Sequence, residues 1–369
     1  MKIGIDAYPA FFQEGGIARY ARALINAMIR EKDPLPDLVL FYNRFREHLT
    51  AWKPDNDELS IRQWVFPRRW VNGLWNQFGW PPIERWCGPI DLFHGLHFVL
   101  PPAREALRVL TVHDLTYLKY PDYFSDRRLN ERGYRQELPR ALERADEVIA
   151  VSEQTRDDLV QLMHFPQERI RVIHEGVDPA FFMPADPHLA ARVQQRYGLK
   201  TPYIVFLVGT PEPRKNLDRA VAAVKKADPH IQLALVGPTE KLQRLISEEN
   251  RNVVFTGSIS DHHLAALLSG AAVSLYPSLY EGFGLPVLES MACGAPVITS
   301  DRGSLPEVAG EAALIVDPEN TSQITDAIVA ALQNESLRHR LAECGRARAA
   351  RFTWEKTARE TLALYRELT

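Results

Sequence analysis

The stretch Tyr203–Leu217 reads YIVFLVGTPEPRKNL and contains the transition that decides the fold. Its first residues are almost continuously apolar, which is typical of a strand buried on both faces of a parallel sheet. A loop with two prolines follows, and a helix is predicted to begin near Asn216 or Leu217. The stretch therefore predicts a strand–loop–helix unit, the repeating element of a doubly wound sheet.

The same alternation of apolar runs and amphipathic stretches continues along nearly the whole chain. A first series of strand candidates lies at residues 2–7, 38–43, 91–95, 108–114, 147–152 and 169–176, and a second lies at 203–209, 231–237, 253–257, 272–278, 296–300 and 312–316. Between them, residues 177–187 read VDPAFFMPADP and show no periodicity, so we place a domain junction there. The pattern predicts an α/β protein with two doubly wound domains of similar size and a ligand between the carboxyl edges of their sheets.

Composition and charge indicate a globular protein and argue against several classes of partner. The chain has 369 residues, of which 46% are hydrophobic and 25% charged, as in ordinary globular proteins. Its net charge of −3 does not favour nucleic acid as a partner. The three cysteines, Cys87, Cys293 and Cys344, have neither metal-ligand nor disulfide spacing, which indicates a reducing compartment. Without a signal peptide or a membrane-spanning run, we expect a cytoplasmic protein, and peripheral membrane contact stays open.

The segment Trp52–Trp86 is unusual because it holds six of the seven tryptophans, interleaved with Arg62, Arg68, Arg69 and Arg85. Large aromatic side chains most often serve burial, which favours a partly buried extension of the first domain. The alternative is a docking surface for an acceptor or for the inner face of a membrane.

Two loops have the features of phosphate-binding elements. Arg214 can offer a planar fork to phosphate oxygens and Lys215 a compact charge, and an anion would relieve their conflict with the positive end of the next helix. In the first domain, Gly15 and Gly16 precede a helix with apolar positions at 17, 20, 24 and 28, and they permit close backbone approach to a ligand. A solvated basic pair and an ordinary glycine turn are the alternatives. Two such elements on separate domains indicate a ligand that bridges the cleft between them, as a nucleotide diphosphate would.

Two glutamates stand eight residues apart in YEGFGLPVLES, residues 280–290. The proline and glycines predict a helix that begins at Pro286 and ends near Gly294, with Glu281 in the preceding loop and Glu289 in the first turn. The alternatives are solvent exposure for Glu281 and compensation of the helix dipole for Glu289. Carboxylates are good acceptors for sugar hydroxyls, so their combination with a cationic loop favours a nucleotide that carries a sugar.

His113 follows the apolar run RVLTV and can either be a hydrogen-bonded structural residue or donate to a substrate oxygen. Residues 55–57 read Asp-Asn-Asp, nominally a metal-binding D-x-D motif, but they follow no apolar strand and are predicted to form a solvated turn. Nothing else groups His, Cys or carboxylate residues at metal-ligand spacing, so no metal is predicted.

These motifs resemble those of the retaining GT-B glycosyltransferases of family four. EGFGLPVLE resembles that family's E-x7-E motif, and GTPEPRKNL resembles its Gly-x-x-x-x-Arg-Lys-Asn element. GGIARY, TVHDL, IAVSEQT and VFTGSISD occur in the expected order, so the resemblance covers nearly the whole chain. It implies a GT-B fold with an acceptor-side domain (1–180), a nucleotide-sugar-binding domain (181–351) and a final helix (352–369) that returns to the first domain.

The resemblance also implies an activity, the transfer of a sugar from a nucleotide diphosphate sugar with retained anomeric configuration and without a metal or another cofactor. Arg214 and Lys215 would neutralise the leaving diphosphate, and Glu289 would bind the ribose. Glu281 would hold the donor sugar's hydroxyls, and His113 would lie beside that sugar. The remaining donor contacts that the resemblance implies fall on backbone groups of Gly15, Gly16, Ser258, Ile259, Phe283, Gly284 and Leu285.

The donor and the acceptor are less determined. DLFHGLHFVLPP and TVHDL resemble mannosyltransferases of surface-polysaccharide assembly, which makes GDP-mannose the first expectation and UDP-glucose the second. The expected acceptor is a glycan or a lipid-linked glycan. A phosphorylase or hydrolase of related fold, a catalytically silent sugar-nucleotide sensor and a dinucleotide-binding oxidoreductase are the competing interpretations.

Overall fold

The apolar runs of the sequence form the strands of two parallel sheets. The computed structural model describes residues 1–31, 37–123, 135–183, 186–247 and 250–369, with their side chains except those of residues 68 and 69. The first sheet contains β1 (Lys2–Asp6), β2 (Asp37–Arg44), β3 (Ser60–Val65), β4 (Leu92–Gly95), β5 (Leu107–Val112), β6 (Glu147–Ala150) and β7 (Ile170–Val172). The second contains β8 (Tyr203–Leu207), β9 (Gln232–Val236), β10 (Val253–Gly257), β11 (Val273–Tyr276), β12 (Val297–Ser300) and β13 (Ala313–Val316).

The strand order confirms the predicted doubly wound α/β architecture. The first sheet has the order β3-β2-β1-β4-β5-β6-β7 and the second the order β10-β9-β8-β11-β12-β13, and neighbouring strands pair in parallel. The direction of winding reverses between β1 and β4 and again between β8 and β11. Ligands of such sheets bind where the winding reverses, outside the carboxyl ends of the strands.

Helices connect most of the strands. In the first half of the chain and at its end they are Tyr8–Phe12, Gly16–Arg30, Arg68–Phe78, Glu84–Cys87, Thr116–Lys119, Leu138–Arg144, Glu153–Met163 and Trp354–Leu368. The others are Pro187–Tyr197, Leu217–Ala227, Thr239–Gln243, Asp261–Ser269, Leu285–Ala292, Leu305–Ala309, Thr321–Gln333 and Glu335–Ala349. Short 3₁₀ turns lie at Pro121–Tyr123, Gln167–Arg169, Pro179–Phe182 and Pro213–Lys215.

The described chain forms two compact units. One comprises Met1–Gly176 together with Trp354–Thr369, and the other comprises Val177–Thr353. The corresponding predicted limits are residues 180 and 351. The last helix packs against the helix Gly16–Arg30 of the first unit. Within the described ranges, no helix is both long and apolar enough to cross a bilayer.

The edge strand β3 has no counterpart in the sequence predictions. It pairs in parallel with β2 but lies at the edge of its sheet, and most of its residues are exposed. Only Trp64 of this strand packs against the core of the first unit, so SIRQWV shows no alternation of apolar and polar residues. The strand is therefore held by pairing with β2 and by this one side chain.

The tryptophans of the segment Trp52–Trp86 divide into two groups. Trp75 is 5% exposed, and Trp64 and Trp86 pack against the core of the first unit, as predicted for a partly buried extension. Trp70 and Trp80, by contrast, are 59% and 61% exposed. The segment thus contributes to the core and also presents aromatic surface to solvent.

The turn at residues 55–57 is more tightly held than the sequence predicts. The Asp55 carboxylate accepts hydrogen bonds from Asn26 Nδ2 at 3.0 Å and from Arg30 Nη2 at 2.5 Å, both on the helix Gly16–Arg30. Asp55 and Asp57 are exposed, as predicted for a solvated turn, and the helix Gly16–Arg30 supplies the Asp55 carboxylate with partners at the surface.

Candidate active site

The two motif loops of the second unit follow β8 and β11, the strands on either side of the point where its sheet reverses. The first loop makes a 3₁₀ turn at Pro213–Lys215, and Asn216 then adopts a left-handed conformation with φ of 59° before the helix Leu217–Ala227. Asparagine tolerates this conformation better than most residues. The helix begins where it was predicted, and the cations lie in the turn that precedes it.

Hydrogen bonds join these two loops into one unit. The Leu279 amide donates to the Arg214 carbonyl at 2.7 Å, and Asn216 Nδ2 donates to the Pro277 carbonyl at 3.0 Å. Asn216 is 4% exposed, so the bond is made away from solvent. The positions of Arg214 and Lys215 are therefore fixed relative to the loop that carries Glu281.

The structure brings Arg214, Lys215 and Glu281 together in one ion cluster. Lys215 Nζ lies 2.8 Å from Glu281 Oε1, and Arg214 Nη1 lies 2.5 Å from Glu281 Oε2. Arg214 Nε also lies 2.6 Å from Glu212 Oε2. The two adjacent cations are thus balanced by two carboxylates of the protein, in addition to any anion that binds there.

This arrangement corrects the alternative of solvent exposure for Glu281. Its residue is only 7% exposed, and each carboxylate oxygen accepts from a different cation. Because a buried charge is stable only when it is paired, Glu281 in this conformation is the counter-ion of the cationic loop.

Tyr276, which the sequence predictions did not single out, completes the cluster. Its hydroxyl accepts a hydrogen bond from Lys215 Nζ at 2.6 Å and donates to Glu281 Oε1 at 3.0 Å. The ammonium group also lies 5.0 Å from the centre of the Tyr276 ring, a cation–π distance. The position of this tyrosine at the end of the predicted strand 272–278 was the only signal in the sequence.

The pKa values in the cluster follow from burial and charge. Burial alone would raise the pKa of the Glu281 carboxyl, but Arg214 and Lys215 outweigh it and lower that pKa to about 2. Burial and the neighbouring Arg214 lower the pKa of Lys215, although Glu281 opposes them. Burial and Glu281 raise the pKa of Tyr276 well above its usual value. Glu281 is therefore ionised and Tyr276 protonated near neutral pH.

The glycine-rich loop from Glu281 to Gly284 packs closely against the turn at residues 302–305. The Ser304 hydroxyl donates to the carbonyls of Glu281 and Phe283, at 3.0 Å and 2.6 Å. At Gly303 a Cβ atom would lie 2.6 Å from the Glu281 carbonyl oxygen, so only glycine fits there. The loop leads directly into the helix Leu285–Ala292, whose first amides lack partners within the helix.

The helix after this loop begins at Leu285 rather than Pro286, with Gly284 as its N-cap at φ of 112°. Glu289 is then its fifth residue and lies in the second turn, so the prediction of a first-turn position was wrong. Pro286 is therefore the second residue of the helix. It lacks an N–H group, but the first amides of a helix have no partner within the helix, so no hydrogen bond is lost. Glu289 is buried, with 5% of its surface exposed. Glu281 lies in the loop before the helix, as predicted.

Two further predicted donor-binding residues, Ser258 and Ile259, lie in the loop that follows β10 at its carboxyl end. Ser258 is exposed and Ile259 half-buried, and Ser260 then caps the helix Asp261–Ser269. Both residues thus lie next to the edge strand of the second sheet, and their contact with a base stays a prediction.

The remaining predicted residues belong to the first unit. Gly15 has φ of 91° and is the N-cap of the helix Gly16–Arg30, and a Cβ atom on Gly15 or Gly16 would meet nothing within 4 Å. The open space around both residues agrees with the expected accessibility of their backbone. Their contact with a diphosphate stays a prediction.

His113 is held from both sides inside the first unit. Its Nδ1 lies 3.2 Å from Glu175 Oε1, and its Nε2 lies 3.0 Å from the Leu96 carbonyl oxygen. Both neighbours are hydrogen-bond acceptors, so both ring nitrogens have partners in this conformation. Glu175 is 6% exposed and was not predicted as a functional residue. The role of His113 beside the donor sugar stays a prediction.

In the ranges that the structure describes, no three His, Cys, Asp or Glu side chains come together in a way that could hold a metal ion.

Comparisons with known proteins show the family to which the chain belongs. The family model described as Glycosyl transferases group 1 matches residues 191–348, and the one described as Glycosyltransferase Family 4 matches residues 14–181. The O-antigen chain mannosyltransferase B of Escherichia coli is 32% identical over 287 residues, covering 75% of this chain and 74% of that protein. The MMP alpha-(1->4)-mannosyltransferase of Mycolicibacterium hassiacum is 34% identical over 247 residues, covering 63% of this chain and 57% of that protein.

The solved structures give the same result. Sucrose-phosphate synthase from Thermosynechococcus elongatus aligns with a TM-score of 0.75 and 26% identity, with 100% of this chain and 99% of that chain covered. This alignment and the two parallel sheets of the chain agree with the GT-B fold that the motifs predict. The chain therefore belongs to the group 1 glycosyl transferases and is a hexosyltransferase with the GT-B fold.

Proposed function

We propose that this glycosyltransferase moves mannose from GDP-mannose to a glycan or lipid-linked glycan, with retention of the anomeric configuration and without a metal ion. The observation that carries the proposal is the buried cluster of Arg214, Lys215 and Glu281 at the reversal point of the second sheet. The mannosyl donor is supported by the names of the two curated relatives, both mannosyltransferases.

The cations of the cluster fit a leaving diphosphate. An ammonium group can donate three hydrogen bonds, and Lys215 uses two of them on Tyr276 and Glu281. The third N–H is left for a phosphate oxygen. The charge that develops on the diphosphate would then meet a cation already held in place, which is how preorganised donors lower a barrier.

The same cluster argues for retention without a covalent intermediate. The resemblance implies that Glu281 contacts the donor sugar, but its carboxylate accepts from Arg214, Lys215 and Tyr276. A carboxylate with three donors and a pKa of about 2 is a weak nucleophile and a weak base. With the retention that the resemblance implies and no covalent intermediate, the acceptor would attack on the face that the diphosphate leaves, and a phosphate oxygen would take its proton.

The donor is tested with a panel of nucleotide sugars. The purified chain is incubated with GDP-mannose, UDP-glucose and GDP-glucose and a mannose-terminated oligosaccharide, and nucleotide release and product are followed by NMR. We expect GDP-mannose to be preferred and the new linkage to have the α configuration of the donor. Preference for UDP-glucose would overturn the donor, and a β linkage would overturn retention. Release of sugar 1-phosphate with inorganic phosphate would indicate a phosphorylase.

Metal independence is tested separately. Two cations of the protein at the diphosphate would do the work that a divalent ion does in metal-dependent transferases. We expect the rate of transfer to be unchanged after dialysis against EDTA. A loss of activity that Mg²⁺ or Mn²⁺ restores would contradict this part of the proposal.

We also assign the exposed aromatic part of the segment Trp52–Trp86 to peripheral contact with an anionic membrane. Trp70, Phe78 and Trp80 are 59%, 65% and 61% exposed, and the segment carries interleaved arginines. Aromatic rings with basic residues are typical of interfacial binding. Replacement of Trp70 and Trp80 by serine should reduce sedimentation with phosphatidylglycerol vesicles. Replacement of Met183, which is 66% exposed in the other unit, should not. Equal sedimentation of both variants would contradict the contact.

A further inference from the structure

One buried hydroxyl of the second unit has no hydrogen-bond partner. In the part of the chain that the structure describes, three buried side-chain oxygens lack such a partner: Glu84 Oε2, Thr116 Oγ1 and Ser278 Oγ. Ser278 lies in the loop after β11, between Tyr276 and Glu281 of the ion cluster. Because an unpaired buried hydroxyl costs stability, its position beside charged groups requires a physical reason.

The Ser278 hydroxyl lies beside the carboxylate of Glu281 without a hydrogen bond to it. Burial alone would raise the pKa of the Glu281 carboxyl, but the neighbouring cations and, to a smaller extent, the Ser278 hydroxyl lower it to about 2. Ser278 is 0% exposed, so a ligand does not reach its hydroxyl in this conformation. A direct contact between Ser278 and a substrate therefore does not explain the unpaired group.

The backbone around Ser278 is fixed by buried hydrogen bonds. Asn216 Nδ2 donates to the Pro277 carbonyl at 3.0 Å, and Ser300 Oγ donates to the Ser278 carbonyl at 2.5 Å. Both donor residues are buried. The Ser278 hydroxyl therefore changes its position by rotation about the χ1 bond, between the staggered rotamers of the side chain.

The partners of Glu281 show when such a rotation would form a hydrogen bond. Its Oε1 accepts from Lys215 and Tyr276, whereas its Oε2 accepts from Arg214 Nη1 at 2.5 Å. A diphosphate carries more negative charge than one carboxylate and suits a guanidinium fork, so it competes with Glu281 for Arg214. Once Arg214 turned to the diphosphate, Oε2 would lose this donor while still buried, which is unfavourable for an anionic atom.

We propose that the Ser278 hydroxyl is a reserve donor, which rotates to the Glu281 carboxylate when a nucleoside diphosphate draws Arg214 away from it. The proposal rests on the proposed function, because that function brings a diphosphate to the cations. Ser278 acts through Glu281 and touches no substrate, so it is a positioning residue. Its hydroxyl is unpaired in the free protein because the carboxylate is then occupied, and it gains a hydrogen bond when the nucleotide binds.

The proposal is tested on the full chain by calorimetric titration with GDP, with UDP as the comparison, and by thermal unfolding. Ser278→Ala removes a hydroxyl that is unpaired in the free protein, so the unfolding temperature without ligand should not fall. The dissociation constant for GDP should rise about tenfold, because the bound state loses a hydrogen bond to a buried carboxylate. An unchanged dissociation constant in the folded variant would overturn the proposal.

Ser274→Ala is the matched control, on the strand β11 that precedes the same loop. Ser274 is also buried, but its hydroxyl lies 2.7 Å from Ser290 Oγ and is therefore already paired in the free protein. This variant should lower the unfolding temperature and leave GDP binding unchanged. Ser278→Cys keeps a side chain of similar shape with a weak donor, and it should also weaken GDP binding. This second variant decides the matter if Ser278→Ala does not fold.

A double-mutant cycle with Arg214 tests the exchange of donors without any ligand. Arg214→Met removes the guanidinium group, so in that background the Ser278 hydroxyl should already bond to Glu281 in the free protein. Adding Ser278→Ala should then lower the unfolding temperature, although the same substitution does not lower it in the wild-type background. Equal effects in both backgrounds would mean that Ser278 does not replace Arg214 and would overturn the proposal.

The same measurements separate this proposal from the proposed function. If the wild type prefers UDP to GDP, the donor of the proposed function fails, and the variants are compared with UDP. If the wild type binds neither nucleotide, the proposed function fails, while the double-mutant cycle still tests the hydroxyl. If the wild type binds GDP and Ser278→Ala binds it equally well, the reserve donor fails alone.

Discussion

The carboxylate of Glu281 shows how one side chain can prepare a site for a ligand of the same charge. It holds Arg214 and Lys215 in place at 2.5 Å and 2.8 Å while the protein is without a donor. Two buried cations so close together would repel each other without it. A diphosphate that arrives there meets cations that are already oriented, at the cost of sharing them with Glu281.

The first prediction concerns the cation itself. Lys215→Ala should lower kcat by about 10² or more, because it removes a positioned donor to the leaving diphosphate. Lys225→Ala is the matched control, since Lys225 is exposed on the helix Leu217–Ala227 of the same unit. Steady-state kinetics with saturating donor measure the effect. A near-normal kcat in the folded Lys215 variant would contradict the role given to this residue.

The second prediction concerns Tyr276, which acts through Lys215 and is a positioning residue. Tyr276→Phe keeps the ring under the ammonium group but removes the hydroxyl that accepts from it at 2.6 Å. We expect kcat to fall about tenfold with little change in the acceptor KM, because the hydroxyl loses its hydrogen bonds with the Lys215 ammonium group and the Glu281 carboxylate. A purely structural tyrosine would lower only the unfolding temperature. If Tyr276 positions Lys215, Tyr276→Ala should lower both kcat and the unfolding temperature more than Tyr276→Phe does.

At the scale of elements, the last helix is fastened to the first unit by a buried polar network. Tyr365, on the helix Trp354–Leu368, lies 2.5 Å from His94 Nδ1, and His94 Nε2 lies 2.8 Å from Thr111 Oγ1. Thr111 in turn lies 3.2 Å from the Tyr20 hydroxyl on the helix Gly16–Arg30. All four side chains are at most 1% exposed, so each depends on the others for its partners.

The third prediction tests this attachment. Tyr365→Phe should destabilise the first unit by about 1–3 kcal/mol, because it leaves a ring nitrogen of His94 buried without its partner. Amide hydrogen exchange should speed up in the helix Trp354–Leu368. Tyr197→Phe is the control, since Tyr197 is half-buried and its hydroxyl has no hydrogen bond among the described residues. Unchanged exchange in the last helix would show that apolar packing alone holds it.

The same elements show what could be predicted from the sequence. Buried strands such as β8 can be recognised in the sequence as continuous apolar runs, because both of their faces are covered. The strand β3 shows no such run, since four of its six residues are exposed and only Trp64 packs against the core. The pairing of Glu281 with Lys215 joins residues 66 positions apart, and no local pattern encodes such a distance. Motif matching identified the residues, but their mutual contact required the sheet order.

At the scale of the whole molecule, a buried histidine of the first unit and a buried glutamate of the second respond to pH in different windows. Burial, and after it the neighbouring His113, lower the pKa of His94 to about 3, below its ordinary 6.5. Unfolded His94 therefore binds a proton that the folded first unit excludes, so stability is lost as pH falls from about 6.5 toward 3. The slope is about 1.4 kcal/mol per pH unit. Glu281, with its pKa lowered from 4.5 to about 2, makes the second unit lose stability only below about 4.5.

The fourth prediction follows from this difference: the first unit should unfold at a higher pH than the second. All seven tryptophans lie in Met1–Gly176 or Trp354–Thr369, so tryptophan fluorescence reports the first unit, while far-ultraviolet circular dichroism reports both. On acid titration, the fluorescence midpoint should lie above the final dichroism midpoint. His94→Asn removes the titrating group, so the stability of this variant should no longer decrease as the pH is lowered from 6.5 to 5. Coincident midpoints in the wild type would mean that the two units unfold together. If the stability of His94→Asn depended on pH as steeply as that of the wild type, another group would govern the first unit.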